Sequence, residues 1–388
     1  MISRRSWLKT TGGLTLAWTT SPIFATSREA QRDPRFALII LRGGMDGLAA
    51  VPPLNDPNFR KARGELAKSV PVNSVLELDG FFGLHPAFKH LHGLFQSGEL
   101  AFMHAVAPPY WGRSHFQAQD VLEAGVPDPS GSSDGWLYRT LDLLPGVARS
   151  KKSAIAVGGS VPLVLRGQET VGAWSPDRLP EPDKATFDRV LALYDRDPVL
   201  GPPVERMLET QAMAGNMASV QGNPLSVNMK AAAEFLINPA GPRIAVLDNG
   251  GWDTHANQTG QLVNRFAALD QVIAEFRAQL GEVWQQTVVL MVTEFGRTVA
   301  ANGTRGTDHG VGGLAFVTGG AVSGGRVLGE WPGLGSRDLY EGRDLQPTTD
   351  MRSLFKSLLV YHLDIDEHAV DEVVFPGTRL PLVPVLHA

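Results

Sequence analysis

Residues 287–313, TVVLMVTEFGRTVAANGTRGTDHGVGG, place an uninterrupted apolar run directly before a cluster of ionisable side chains. The run at 288–292 is short enough for a strand that is buried on both faces. A glycine-broken loop follows it and carries Asp308 and His309. Ligands of open α/β sheets bind where such loops leave the carboxyl ends of the strands. The segment predicts a buried parallel strand that leads into a functional loop. The alternative is a surface loop with a turn aspartate and a solvated histidine.

Further short apolar runs predict the rest of a sheet, at 36–41, 100–106, 154–157, 161–165 and 243–247. The last of these runs leads through an amphipathic helix at 262–280 to the strand at 288–292. Such a strand–helix–strand unit requires parallel strands and a right-handed crossover. We therefore expect an α/β fold with a mostly parallel central sheet flanked by helices on both faces.

Most candidate site residues follow predicted strands. Asp253 and His255 form an Asp-x-His pair on a glycine-rich loop, and these residue types suit a hard or borderline divalent ion. Strands of a parallel sheet release their loops at one edge, so these residues can converge. For Asp46 a turn or helix-capping role is the alternative. The residues that share this placement are Asp46, Ser114, Asp253, His255, Glu294, Arg297, Asp308 and His309.

Ser114 lies between a predicted strand and a helical pattern at 117–124. The free backbone N–H groups of a helix N-terminus stabilise anions and, together with a metal and Arg113, can activate a hydroxyl. An ordinary serine N-cap is the alternative. His115 is a candidate base or ligand, or a loop residue packed on Trp111.

The N-terminus predicts an export signal at residues 1–27. Arg4 and Arg5 precede a moderately apolar region at 12–25, and Ala25 begins a small-x-small cleavage site. The segment resembles a twin-arginine signal, which implies the twin-arginine translocase as a partner and a periplasmic or secreted location. The alternative is a basic amphipathic helix in a cytoplasmic protein. Residues 28–388 are expected to form one domain.

Composition narrows the remaining possibilities. The chain has 388 residues, 43% of them hydrophobic, which is enough for a sizeable core. It has no cysteine, which excludes disulfides, thiolate metal sites and cysteine nucleophiles. The net charge of −5 and the scattered basic residues predict no nucleic-acid surface, and no stable membrane span is expected. The segment around 128–238 carries little chemistry and is expected to be a lid or subdomain insertion.

Six motifs together resemble the exported DUF1501 family over nearly the whole mature chain: the twin-arginine start, LRGGMDGL, RSHF, GGWDTH, TEFGRT and GTDHG. That family is grouped with the alkaline phosphatase-like superfamily, which includes sulfatases. The resemblance implies an alkaline phosphatase-like sheet and one or two sites for a divalent ion (Zn, Mn, Ca or Mg). By order along the chain, it implies Asp46 as the first ligand and Ser114 as the nucleophile. Asp253 and His255 would form the Asp…His pair, and His309 would be the last ligand.

The chain departs from the superfamily pattern in two places. Asp253 and His255 are closer together than the usual Asp…His pair, which has three intervening residues. Glu294 and Phe295 stand where the superfamily has Asp-His, so one nitrogen ligand is missing. Glu294 can still bind a metal through its carboxylate, and Asp308 stays a further candidate ligand. The sequence is therefore compatible with a single strong site or a carboxylate-rich one.

The first functional hypothesis is an exported metal-dependent hydrolase of phosphate or sulfate esters, acting on a small-molecule or glycan ester. Ser114 would attack the phosphoryl or sulfuryl centre. Arg113 and Arg297 would stabilise negative charge on its equatorial oxygens. His115 or His309 would transfer protons.

The second hypothesis is a non-catalytic periplasmic envelope or carbohydrate-binding protein on the same fold, with a degenerate metal site. Tryptophans near predicted loops would suit sugar stacking, with ordinary packing as the alternative. They are Trp111, Trp136, Trp174, Trp252 and Trp331.

Overall fold

A computed structural model describes residues 32–68, 74–146, 151–176, 183–194, 197–214 and 222–386. The predicted signal at 1–27 lies outside the described residues. Within the described ranges, no helix combines the length and the apolar character that crossing a membrane requires. The described residues from position 34 onwards form one compact unit.

Short strands alternate with helices along the described chain. The strands are β1 (Arg35–Leu41), β2 (Leu76–Glu77), β3 (Gly83–Leu84), β4 (Leu100–Ala107), β5 (Ala154–Val157), β6 (Gly172–Trp174), β7 (Ile244–Asn249), β8 (Thr287–Val292), β9 (Gly313–Thr318), β10 (Arg326–Leu328), β11 (Leu339–Tyr340), β12 (Asp344–Leu345) and β13 (Thr349–Asp350).

The helices fall between these strands. They are α1 (Gly47–Ala50), α2 (Phe59–Arg63), α3 (Glu65–Lys68), α4 (Lys89–Gln96), α5 (His115–Ala124), α6 (Trp136–Thr140), α7 (Lys184–Tyr194), α8 (Gly201–Ala214), α9 (Pro224–Ile237), α10 (Gln258–Leu280), α11 (Met351–Tyr361) and α12 (Glu367–Ala369). Single 3₁₀ or π turns occur at Lys151–Ser153, Leu163–Leu165, Gly281–Gln286 and Val370–Val374.

Among the described residues, the central sheet has nine strands in the order β10-β4-β9-β8-β1-β7-β5-β6, with β13 also paired to β4. Strand β9 runs antiparallel to β4 and β8, and the other pairs of this sheet are parallel. This arrangement confirms the predicted α/β class with a mostly parallel sheet.

Helices cover both faces of the sheet. Strand β1 is buried along its whole length because its side chains alternate between two cores. Ala37 and Ile39 contribute to a core with α4, α9 and α10, whereas Leu38 and Ile40 contribute to one with α5, α6 and α11. Burial of an aliphatic side chain contributes about 1.5–3 kcal/mol. The two-sided burial explains why the β1 sequence is apolar without alternation.

The prediction of a strand at 161–165 is wrong. Leu163–Leu165 form a 3₁₀ turn in which the N–H of Leu165 donates to the carbonyl of Pro162 at 3.1 Å. Val164 and Leu165 are nevertheless buried. A short apolar run indicates burial, but it does not by itself distinguish a strand from a buried turn.

Part of segment 128–238 belongs to the main sheet. Strands β5 and β6 are paired within it, and α9 packs on the same core as β1. Helices α7 and α8 differ, because they and their connection expose apolar side chains, among them Leu193, Val199 and Met207. A lid can therefore comprise only a narrower region than the sequence suggested.

The register aligns the carboxyl ends of the central strands. Leu41 at the end of β1 lies opposite Asn249 of β7, and Ile40 lies opposite Val292 of β8. Strand β4 runs in the same direction, and the antiparallel strand β9 begins at this edge. The loops that follow β1, β4, β7 and β8, and the loop that precedes β9, therefore meet at one edge of the sheet.

Candidate metal centre

The start of α5 and two loops at this edge bring one carboxylate and three imidazoles together. Nε2 of His255 lies 2.8 Å from Oδ1 of Asp253, and Nε2 of His309 lies 3.2 Å from the same oxygen. Nε2 of His115 lies 3.4 Å from the other oxygen, Oδ2. Ligand atoms of His115, Asp253 and His309 all fall within 4.8 Å of one another. We call His115, Asp253, His255 and His309 the histidine cluster.

Each histidine of the cluster directs Nδ1 at an oxygen behind it. The pairs are His115 with the Glu294 carboxylate at 2.8 Å, His255 with the Asp308 carboxylate at 3.1 Å, and His309 with the backbone carbonyl of Arg113 at 3.0 Å. Ionised carboxylates and carbonyls only accept hydrogen bonds, so Nδ1 carries the hydrogen in each ring. In neutral rings this tautomer directs the Nε2 lone pairs at the Asp253 carboxylate, so that a proton or a metal ion has to lie between these nitrogens and the carboxylate oxygens.

Two features of the cluster fit a bound cation. Nε2 of His115 is buried and makes no hydrogen bond. Nε2 of His255 and Nε2 of His309 lie only 3.0 Å apart, although both carry lone pairs in this tautomer. A proton or a metal ion between them removes the repulsion. Three imidazole nitrogens and one carboxylate are ligand types that Zn²⁺ and similar divalent ions accept.

The cluster is held by a buried arginine. Nη1 of Arg297 donates to Oδ1 of Asp253 at 2.6 Å, and Nε donates to Oγ1 of Thr307 at 3.1 Å. Burial alone would raise the pKa of Asp253, but the hydrogen bond and charge of Arg297 lower this pKa below its usual value. Asp253 is therefore a carboxylate at neutral pH. The guanidinium of Arg297 therefore contacts protein groups of the site.

The three rings do not share one electrostatic environment. The hydrogen bond that His115 donates to Glu294 raises the pKa of His115 and outweighs the effect of burial. Burial, followed by the nearby His115, lowers the pKa of His309. The buried carboxylate of Glu294 thus draws positive charge towards Nε2 of His115, whether that charge is a proton or a metal ion.

Glu294 and Asp308 lie behind the cluster. The buried Glu294 carboxylate accepts from the backbone N–H of Gly43 at 2.8 Å and from Nε2 of Gln119 at 3.0 Å, besides His115. Although burial raises the pKa of Glu294, these hydrogen bonds lower it overall. Their geometry makes Glu294 and Asp308 orienting partners of histidines rather than members of the cluster that faces Asp253.

Asp46 has other contacts. Its carboxylate forms a buried ion pair with Arg63, accepts from Nε2 of Gln258 at 2.7 Å, and accepts from the N–H of Ala49 to cap α1. The structure thus places Asp46 in the helix-capping role that the sequence left open, and Arg63 supplies its counter-charge.

Ser114 occupies the N-cap position of α5, directly before His115, and its side chain makes no capping hydrogen bond. The preceding Arg113 has a φ of 60°, a left-handed conformation that is uncommon for a side chain of this size. In this conformation, the backbone carbonyl of Arg113 accepts a hydrogen bond from Nδ1 of His309. The side chain of Arg113 donates to Asp344 at 2.8 Å and to Glu341 at 2.6 Å. The guanidinium of Arg113 is therefore held by two carboxylates of the protein.

The sequence analysis missed Gln119, Arg63 and Gln258. Gln119 was detectable, because it lies four residues after His115 and therefore on the same face of α5. Arg63 and Gln258 carry no comparable local signal, since their partner Asp46 is distant from both in the chain.

Most of the tryptophans considered for sugar stacking are in the core. Trp136, Trp174 and Trp252 are buried, while Trp111 is 40% exposed and packs edge-on against Tyr340. Buried indoles cannot stack on a sugar. The packing alternative therefore holds for these three.

Fold and cluster define an α/β protein with a candidate metal centre at the carboxyl edge of its sheet. The model of the DUF1501 family, described as a protein of unknown function, matches residues 108–374. The chain therefore belongs to the DUF1501 family, as the motifs predicted. No curated protein matches the chain.

Several solved structures are similar to this chain at low identity. Ps i-CgsB in complex with k-i-k-neocarrahexaose has a TM-score of 0.43 and 10% identity, covering 87% of this chain and 74% of that one. The C-terminal periplasmic domain of EcEptC from Escherichia coli, in complex with Zn, has a TM-score of 0.39 and 9% identity, covering 75% and 74%. The phosphonate monoester hydrolase of Agrobacterium radiobacter has a TM-score of 0.36 and 11% identity, covering 86% and 74%.

Proposed function

We propose that this protein is a metal-dependent hydrolase of phosphate or sulfate esters. The observation that carries the proposal is the convergence of three Nε2 lone pairs on Asp253, each ring fixed by a hydrogen bond at Nδ1. A polar constellation of this kind at the carboxyl edge of an α/β sheet is suited to holding a divalent ion next to a substrate. A bound ion would polarise an ester oxygen and stabilise the negative charge that develops there.

The chain's own groups would perform the remaining steps. The Ser114 hydroxyl lies beside the cluster in sequence and at the start of α5, where free N–H groups favour an anion. Its oxygen would form a bond to phosphorus or sulfur while the ester oxygen leaves with its electron pair and takes up a proton. Water would then cleave the serine ester and release inorganic phosphate or sulfate.

The proton of the Ser114 hydroxyl needs an acceptor. A solvent water at the site would accept it, because the Nε2 atoms of the three histidines would hold the ion and each Nδ1 hydrogen is already donated within the protein. Arg113 and Arg297 would act by holding His309 and Asp253 in place. The proposal thus keeps Ser114 as the nucleophile and assigns both arginines to positioning.

Elemental analysis and turnover together test the proposal. We expect near-stoichiometric Zn, Mn, Ca or Mg in the wild type, and its loss in Asp253→Ala. The control is Asp270→Ala, which removes a carboxylate of α10 that lies 2.8 Å from Nδ1 of His90 in α4. This variant should retain the metal. Ser114→Ala should retain the metal and lose turnover of 4-nitrophenyl phosphate or sulfate.

Each result has a distinct meaning. Wild type without metal and without turnover would overturn the hydrolase and favour a non-catalytic protein. Full turnover in Ser114→Ala would overturn the serine step and leave attack by water.

We also propose that the chain is exported to the periplasm by the twin-arginine translocase. Arg4 and Arg5, followed by the weakly apolar region at 12–25, support the export route. Replacing both arginines by lysine should leave the precursor in the cytoplasm, while Lys9→Arg should not. Export of the double variant by the wild-type route would contradict the proposal.

A further inference from the structure

A continuous series of hydrogen bonds leads from Asp46 to the histidine cluster. Nε2 of Gln258 donates to Oδ2 of Asp46 at 2.7 Å, and Oγ1 of Thr307 donates to Oε1 of Gln258 at 2.7 Å. Nε of Arg297 donates to Oγ1 of Thr307, and Nη1 of Arg297 donates to Oδ1 of Asp253. Every member of this series before Asp253 is buried. We call Gln258 and Thr307 the buried link, because they connect the ion pair of Asp46 to the arginine that holds Asp253.

The direction of each hydrogen bond in this series is fixed. The carboxylate of Asp46 only accepts, so the amide nitrogen of Gln258 faces it and Oε1 of Gln258 faces Thr307. The hydroxyl of Thr307 has one hydrogen, which it donates to Gln258, and its lone pairs remain for the N–H of Arg297. The guanidinium of Arg297 only donates, so the series ends on an acceptor, Asp253. Reversing one member would place two donors or two acceptors against each other.

Thr307 holds the guanidinium of Arg297 at two points. Its hydroxyl accepts from Nε at 3.1 Å, and its backbone carbonyl accepts from Nη2. The backbone carbonyl of Gly43 accepts from Nη1 at 3.3 Å. A planar guanidinium that is held on several sides has one orientation, and here that orientation directs Nη1 at Asp253. The hydroxyl of Thr307 thus helps to set the direction in which Arg297 donates.

Asp253 depends on Arg297 for its position. The side chain of Asp253 is 40% exposed, whereas that of Arg297 is fully buried. Packing therefore fixes the arginine more firmly than the carboxylate. Nη1 of Arg297 lies 2.6 Å from Oδ1 of Asp253, which is closer than any Nε2 atom of the histidine cluster lies to this carboxylate. A shift of the guanidinium would therefore move the carboxylate that faces the Nε2 atoms.

We propose that Gln258 and Thr307 are positioning residues, which act through Arg297 to hold Asp253 in place for metal binding. Neither residue would contact the ion or a substrate. The inference rests on the proposed function, since it concerns the metal centre of that hydrolase. A role in packing alone is the alternative, because buried polar groups need hydrogen-bond partners wherever they lie. Packing affects the free energy of unfolding, whereas positioning also affects the affinity for metal.

Competition between the full chain and a chromogenic chelator for Zn²⁺ tests the proposal. Thr307→Val keeps the shape of the side chain and removes its hydroxyl. It should weaken Zn²⁺ affinity by about 10–100-fold, the usual effect of losing a partner behind a metal ligand. Thr307→Ser keeps the hydroxyl and should keep the wild-type affinity. The matched control is Thr287→Val at the start of β8, where the buried Thr287 hydroxyl donates to the carbonyl of Val283 at 2.7 Å. This control should bind Zn²⁺ as the wild type does.

A double-mutant cycle tests whether the two residues act as one link. Gln258→Met removes the acceptor of the Thr307 hydroxyl and should also weaken Zn²⁺ affinity. The fold-loss in Gln258→Met/Thr307→Val should be smaller than the product of the two single fold-losses, because both substitutions break the same series of hydrogen bonds. A loss equal to that product would show that the two residues act independently, and it would overturn the link.

Urea unfolding of the metal-free proteins separates positioning from packing. Thr307→Val and Thr287→Val should both lose stability, and only Thr307→Val should lose Zn²⁺ affinity. Wild-type affinity in Thr307→Val would overturn the positioning role and leave the proposed hydrolase intact. A loss of affinity in Thr307→Ser as large as that in Thr307→Val would also overturn it, because the hydroxyl would then not be the cause. A wild type that binds no Zn²⁺ would overturn the metal centre itself, and the positioning role with it.

Discussion

The carboxylate of Glu294 lies 2.8 Å from Nδ1 of His115, fully buried and on the side of the ring that faces away from Asp253. Partners in this position fix the tautomer and raise the basicity of a ligating imidazole. Glu294 thus acts on the candidate metal centre through His115, although the sequence suggested that it was itself a ligand.

Glu294→Gln should weaken metal affinity by about 10–100-fold, because an amide accepts the same hydrogen bond without the negative charge. Competition with a chromogenic chelator measures the affinity. Asp270→Asn is the control, since Asp270 also pairs with a histidine, His90, at 2.8 Å, but on α10 and α4. Unchanged affinity in Glu294→Gln would show that His115 is not a ligand.

Asp46→Asn should leave the metal content at the wild-type level and lower the free energy of unfolding. The substitution leaves Arg63 buried without its counter-charge, and breaking a buried pair costs about 3–5 kcal/mol. Denaturant unfolding and elemental analysis make the two measurements. Asp253→Asn should lose the metal, and it should lower the free energy of unfolding as well, because it leaves the buried Arg297 without its carboxylate. Metal loss in a stably folded Asp46→Asn would make Asp46 a ligand.

Gly43→Ala should reduce both stability and metal affinity. Gly43 has a φ of +123°, and a Cβ there would lie against the backbone nitrogen of Asp253. The loop that carries Asp253 would have to move away from the histidines. Gly98→Ala is the control, because Gly98 has a φ of +77° with open space around it. It should cost about 1 kcal/mol of unfolding free energy and leave the metal bound. Equal metal affinity in Gly43→Ala and Gly98→Ala would show that metal binding does not depend on the close approach of Gly43 to Asp253.

Stability should fall in acid partly because of His104. Burial lowers the pKa of His104 to about 4. Its Nδ1 accepts from the N–H of Ala105 at 3.0 Å, and its Nε2 donates to the carbonyl of Val51 at 3.1 Å, so the neutral ring is fully used.

Between pH 6.5 and pH 4 the unfolded state therefore binds the proton that the folded state excludes. The stability that this histidine contributes is complete above about pH 6.5 and is lost as the pH falls, by up to about 3 kcal/mol. Urea unfolding of the wild type and of His104→Gln across this range should show a shallower acid loss in the variant. Parallel pH profiles would contradict the assignment.

The sheet was predictable because its central strands are apolar along their whole length. Strand β1 is sandwiched between two cores, and such burial leaves no room for polar residues. The candidate site was predictable only as a set of loops. Whether His115 or Glu294 faces Asp253 depends on side-chain directions after the strands end, and no periodicity governs these directions. The pairing of Asp46 with Arg63 was hidden for the same reason, because it joins irregular segments.

The histidine cluster draws on residue 115 at the start of α5 and on residues 253–255 and 309 in two separate loops. An unfolded chain holds these groups too far apart to act together, so an ion in the cluster would close two long loops at once. Such an ion would bind the native state alone and would shift the folding equilibrium by mass action, more strongly as its free concentration rises above the dissociation constant. The supply of metal in the compartment where the protein resides would then set its lifetime as well as its activity.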